Sequence, residues 1–202
     1  MNRDLNFASL VEGFFTQRLM QQRRASPHTI ASYRATFRLL LQFTQRRLRK
    51  APSSLALDDV DPPLVLAFLD ELEQQRGVSA RTRNLRLTAI HSFFRYAAFE
   101  SPEHSALIQR MLAIPAKRFN RALVSFLTRT EVDALLAAPD QGTWSGRRDH
   151  ALILLAVQTG LRLSELTSLQ PEDLSLGTRS HMRVVGKGRK ERCTLSARAR
   201  AR

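Results

Sequence analysis

The chain has 202 residues, of which 43% are hydrophobic, and a formal charge of +14 from 32 Lys and Arg against 18 Asp and Glu. That length allows one large domain or two small ones, and the apolar content supports a packed core and argues against wholesale disorder. A single cysteine, Cys193, excludes an internal disulfide or a Cys-based metal site, the five histidines show no ligand spacing, and no apolar run reaches the roughly 18 residues of a membrane span.

The positive charge is shared. Residues 1–117 hold 17 basic against 10 acidic residues, and residues 118–202 hold 15 against 8, so each part carries +7. Codon preference can explain 28 Arg against 4 Lys, but not the scarcity of acids. Both parts are expected to face a polyanion, and nucleic acid is the polyanion this organisation fits best. The opening stretch "MNRDLNFASL" lacks the shape of a signal peptide, which predicts a cytoplasmic protein.

In chain order, Leu5, Leu10, Phe14, Phe15 and Leu19 recur near a helical period and predict a helix over 5–22. "SPHT" (26–29) starts a second helix, with Ser26 as N-cap and Pro27 at the first helical position. This helix carries Ile30, Tyr33, Phe37, Leu40 and Leu41, with arginines around the rest of it. "APSSLALDDVDPP" (51–63) breaks it, and Asp61-Pro62 caps a third helix. A turn at 76–82 contains Ser79, the N-cap of a fourth helix reaching about Ala98. The first hundred residues thus read as a four-helix unit, and 100–125 as a looser stretch containing a linker.

Thr128 and Glu131 then form a capping box that opens a new helix. "GTWSGRRD" (142–149) reads as a loop before an apolar helix over 149–159, closed by Gly160. A short helix with Leu163, Leu166 and Leu169 stops before Pro171. In "SHMRVVGKGRKERCTL" the period changes: Val184 and Val185 are β-branched, and the Gly186 and Gly188 pair suits a tight turn, predicting a β-hairpin with Lys187 at its bend. Gly186-Lys187-Gly188 is not a phosphate-binding P-loop, since no Gly lies five residues earlier and no Ser or Thr follows the lysine.

Taken singly, Arg162 reads as one half of an intrahelical pair with Glu165, and Lys187 as a solvated turn tip. Together with the basic helical region upstream they make a more particular set. "TGLRLSEL" (159–166) resembles the first catalytic-arginine motif of the tyrosine recombinases, the phage-type integrases that include the Xer-like enzymes, and "VVGKGRKER" resembles their β-hairpin lysine motif. "SPHTIASYRATFRLLLQF" and "VSARTRNLRLTAIHSFFRYA" are similar to the two signature helices of their N-terminal domain, and "FLTRTEVDALL" to the start of their catalytic domain. The five segments lie in the family's order and cover about residues 5–194.

The resemblance implies a mainly α fold. A four-helix core-binding, SAM-like domain would occupy 1–112, a linker 113–125, and an incomplete α+β catalytic domain with a β-hairpin 126–202. It implies double-stranded DNA as partner, gripped from two faces, with Arg34, Arg38, Arg81, Arg83, Arg86, Lys117, Arg118, Arg189, Lys190 and Arg192 at phosphates. It implies assembly with recombinase copies or relatives, and no metal, nucleotide cofactor, membrane or small-molecule substrate. The family's chemistry is site-specific recombination and DNA integration, often on mobile elements. A tyrosine hydroxyl attacks a phosphodiester, a 3′-phosphotyrosyl link forms and a 5′-hydroxyl leaves. Arg162 takes the place of a phosphate clamp, Lys187 that of the acid protonating the leaving oxygen, and Glu165 that of an orienting group.

The sequence departs from this pattern after the hairpin. The family's H-x-x-R and nucleophilic tyrosine are not found, and the only tyrosines, Tyr33 and Tyr96, stand in apolar settings of the N-terminal helices. The chain is therefore expected to bind DNA without cutting it alone. "LSARARAR" (195–202) reads as off-pattern, from a disrupted gene or as a basic tail. A C-terminal part short of partners is expected to leave the apolar run 151–157 exposed. The alternative reading is a non-catalytic, regulatory DNA-binding protein that occupies recombination sites.

Overall fold

The computed structural model describes residues 6–120, 124–175, 181–186 and 191–195. The chain divides into two compact units, Met1–Arg121 and Ala122–Arg202.

In the first unit, helix α1 (Phe7–Gly13) begins where the Asn6 side-chain carbonyl accepts the Ser9 N–H at 2.8 Å. It runs into a π-helical segment, Phe14–Gln22, instead of one uniform α-helix. The apolar spacing explains the change. Phe7, Leu10, Phe14 and Leu19 are all buried, at steps of three, four and five residues. A step of five keeps one face inward only where the bonding is i→i+5. Leu5 lies outside the described residues.

Helix α2 (Pro27–Leu48) starts at Ser26, whose hydroxyl accepts the Thr29 N–H at 3.3 Å. Helix α3 (Pro62–Arg76) starts at Asp61, whose carboxylate accepts the Leu64 N–H at 2.8 Å. Helix α4 (Ala80–Glu100) starts at Ser79. Each satisfies an orphan N–H of a first turn. The core between them is aromatic. Phe14 meets Phe93 edge-on at 5.7 Å, Phe37 at 6.1 Å and Tyr96 at 5.8 Å, and stacks on Tyr33 at 6.2 Å. Such pairs each contribute about 0.5–1.5 kcal/mol beyond burial.

The stretch after Glu100 is more ordered than its sequence suggests. Helix α5 (Ser105–Leu112) buries Ile108 and Met111, and Ile114 beyond it is buried too. Asn84 on α4 then holds the chain at Lys117 from both sides: its amide donates to the Lys117 carbonyl at 2.7 Å and its carbonyl accepts the Lys117 N–H at 2.9 Å. Residues 113–117 are thus strapped to the first unit.

In the second unit, α6 (Arg129–Ala137) carries the expected capping box, with Thr128 N–H donating to Glu131 at 2.7 Å. Helix α7 (Trp144–Thr159) begins five residues earlier than expected, so most of 142–149 is helix and not loop. Thr143 caps it by accepting the Gly146 N–H at 3.0 Å. Gly146 acts as a packing residue here, because a Cβ would lie 1.8 Å from the Asp140 carbonyl oxygen. Helix α8 (Leu163–Thr167) follows the Gly160 corner. Strands β1 (Leu174–Ser175), β2 (His181–Val185) and β3 (Glu191–Leu195) form an antiparallel sheet in the order β1-β2-β3. The hairpin register pairs Val184 with Arg192 and Val185 with Glu191. Among the described residues of this unit, Leu161, Met182 and Val184 form the buried cluster, with Leu155, Leu166 and Leu169 against it.

Candidate phosphate site and basic surface

The α7–α8 corner explains how Arg162 comes to be presented. Helix α7 ends at Gly160, whose φ of +63° is the left-handed turn that favours glycine. The next residue, Leu161, is buried and anchors the corner. Arg162 then adopts extended backbone as N-cap of α8, so its side chain leaves the corner outward. An arginine cannot accept the N–H bonds that a capping side chain normally takes. Glu165, three residues on, reaches back instead and accepts the Arg162 N–H at 2.9 Å.

The same carboxylate binds two guanidiniums. Its Oε1 accepts from Arg162 Nη1 at 3.0 Å, and its Oε2 accepts from Arg192 Nη2 on β3 at 2.9 Å. The Glu165 side chain is only 4% exposed, whereas that of Arg162 is 64% exposed. The backbone N–H of Arg162 holds the Glu165 carboxyl below the usual glutamate range; burial works against this, and the Arg162 and Arg192 side chains reinforce it. The cluster of two arginines and one carboxylate carries a net charge of +1. Arg162 therefore stands at the surface with donors left over, positioned by a buried anion and not sealed by it. Such a planar donor group suits a phosphate oxygen pair. Lys187, Arg189 and Lys190, the other expected hairpin groups, lie outside the described residues.

The basic residues of the first unit divide by environment. Arg34 and Arg38 project one turn apart from α2, and Arg81 from the first turn of α4, all exposed. Lys117 and Arg118 are exposed on the strap, although Lys117 Nζ also meets Glu73 at 2.9 Å. Arg86 is half-buried and donates to the Ser32 carbonyl at 3.1 Å and to Thr36 Oγ1 at 3.0 Å, so it ties α4 to α2. Arg83 departs from its expected surface placement. Its side chain is 7% exposed, and Nε lies 3.6 Å from Glu73. It sits on the inner face of α4, one turn before the buried Leu87, and braces α4 against α3.

The two tyrosines are core-associated, as their patterning implies. Tyr33 packs against the core and Tyr96 is buried within it, and burial pushes the Tyr96 hydroxyl up, with Glu100 adding to the effect. Sequence reasoning took Arg192 as a phosphate contact and missed its bond to Glu165. Period-two alternation could have found it, since Arg192 shares a face with its buried partner Val184.

Comparison with known proteins identifies the family. Residues 13–101 match the phage integrase N-terminal SAM-like domain, and residues 125–200 match the phage integrase family. The chain is 69% identical over 199 residues to the inferred integrase/recombinase y4rC of Sinorhizobium fredii, covering 98% of this chain and 60% of that protein. It is 46% identical to y4rD of the same organism, covering 95% and 69%, and 34% identical to tyrosine recombinase XerC of Rhodospirillum centenum, covering 86% and 50%. The chain thus spans half to about two thirds of these relatives. Among solved structures, the XerH site-specific recombinase bound to palindromic difH substrate shares the fold with a TM-score of 0.64 at 23% identity, over 88% of this chain and 51% of that one. With its SAM-like helical unit, its arginine corner and a relative matched over more than two thirds of its length, the chain belongs to the phage integrase family of tyrosine recombinases.

Proposed function

We propose that this chain is a duplex-DNA-binding protein of site-specific recombination or integration, acting in the cytoplasm. Exposed Arg34, Arg38, Arg81, Lys117 and Arg118 of the first unit hold the phosphate backbone, and Arg162 of the second clamps a phosphate at the strand to be exchanged. XerH is described bound to difH substrate and the Tn1549 integrase in complex with circular intermediate DNA, which supports this reading. The observation that carries it is the Arg162 guanidinium, 64% exposed yet fixed at the α8 N-cap by a buried carboxylate. A clamp of this kind stabilises charge that develops on non-bridging oxygens when an attacking hydroxyl approaches. Lys187 on the hairpin is the proposed proton donor to the leaving 5′-oxygen. Further recombinase copies are the proposed protein partners.

The test is duplex affinity across a salt series. The wild-type chain should bind with strong salt dependence, and Arg162→Gln should lower the log–log slope by about 1, as loss of one phosphate contact does. No binding at low salt would overturn the reading.

A second reading is favoured by the placement of Tyr96 within the first unit's core and of Tyr33 packed against it. On that reading the 202 residues occupy recombination sites without chemistry. A suicide DNA substrate should then yield no covalent protein–DNA adduct, and an adduct would exclude it.

A further inference from the structure

The bond between Arg192 and Glu165 joins two elements that the sequence keeps far apart. Glu165 belongs to α8, at the arginine corner, and Arg192 to β3, on the arm beyond residues 186–190 that also bear Lys187. The two meet at 2.9 Å on a carboxylate that is nearly sealed from water. The hairpin register makes this placement systematic: Arg192 lies on the same face as its buried partner Val184 and, although its side chain is 45% exposed, reaches Glu165 from there, while Arg183 and Cys193 share the opposite face.

From this geometry we propose that Arg192 is a positioning residue, which acts through Glu165 to fix the β2–β3 hairpin to the Arg162 corner and to keep the Arg162 guanidinium available to an anion. The proposal rests on the phosphate-clamp reading and reassigns Arg192 from direct phosphate contact. Two effects combine. The first is mechanical. A buried carboxylate shared by both elements ties the Arg162 corner to strand β3, so the corner and the described part of the hairpin move together. The second is electrostatic. One carboxylate facing Arg162 alone would make a neutral pair. Shared with Arg192, it leaves a net +1, and only one nitrogen of the Arg162 guanidinium is engaged with it. Removing Arg192 would leave a nearly buried anion to a single partner, which draws Arg162 inward.

Two measurements on the full chain test this. Amide hydrogen exchange across β2 and β3 should quicken about ten-fold in Arg192→Gln and in Glu165→Gln, stay near wild type in Arg192→Lys, and change much less in Arg183→Gln, which removes an equal charge and only a 3.7 Å contact with Asp173. Affinity for a fluorescein-labelled mixed-sequence duplex should fall about ten-fold in Arg192→Gln and much less in Arg183→Gln. In a Glu165→Gln background, Arg192→Gln should add little. An equal loss in both backgrounds would mean that Arg192 touches phosphate directly, and unchanged exchange would mean that no tether exists; either overturns the proposal. If the wild-type chain binds no duplex while the exchange result holds, the DNA reading fails and the tether stands.

Discussion

The two units of this chain solve the same problem with unequal means. The first closes an aromatic core around Phe14, Phe37 and Phe93 and straps the following segment onto it through Asn84. The second, among its described residues, buries Leu161, Met182 and Val184 and leaves Phe126 90% exposed. Helix α7 is apolar by composition, yet no large side chain on it is fully buried. Hydrophobic burial stabilises the first unit; local devices, namely caps, a glycine corner and a shared carboxylate, shape the second. Fold strength and site geometry are therefore separable here, since the residues of the proposed phosphate site lie where packing is thinnest.

The largest expected contrast comes from core truncation. Phe93→Ala should cost about 3–5 kcal/mol, read by chemical denaturation of the first unit, whereas Val157→Ala on α7 should stay within about 0.5 kcal/mol. Similar losses at both sites would break the comparison. Next comes the strap. Asn84→Ala removes two hydrogen bonds and should cost about 1–3 kcal/mol, and limited trypsin digestion should then cut at Lys117 faster than in wild type. The caps allow a matched test, because Ser79→Ala in the first unit and Thr143→Ala in the second each remove one N-cap worth about 1 kcal/mol. Peptide-resolved exchange should show fraying of one turn of α4 but a longer stretch of α7, where packing gives less support. The smallest effect is acid sensitivity of the arginine corner. The lowered Glu165 pKa means its stabilising effect is complete above the ordinary glutamate value and is lost as pH falls through the folded value. Methyl NMR signals of Val184 followed through acid titration should show that slope, and Glu165→Gln should remove it.

Much of this was legible in the residues. Ser26, Asp61, Ser79 and Thr128 each announce a helix because a short oxygen-bearing side chain before an apolar period has one obvious use. Helix α5 was hidden because Pro102 and Pro115 frame it and it is only eight residues long. The start of α7 was hidden because Gly146 reads as a breaker, and its contact with Asp140 is a tertiary fact. At the site, Arg162 and Glu165 were visible through their spacing. The inward turn of Arg83 and the grip of Arg192 on Glu165 depend on which face a helix or strand presents, and a single-residue shift of register reverses that.

The hold of Asn84 on Lys117 also sets a length. The segment from 113 to the cap of α6 at Thr128 offers fifteen residues of leash by count, and the strap withdraws five of them. Under a three-halves-power dependence on length, ten residues in place of fifteen would raise the effective concentration of one unit near the other's proposed ligand about two-fold. One asparagine of the first unit would thereby tune how promptly the second proposed grip follows the first.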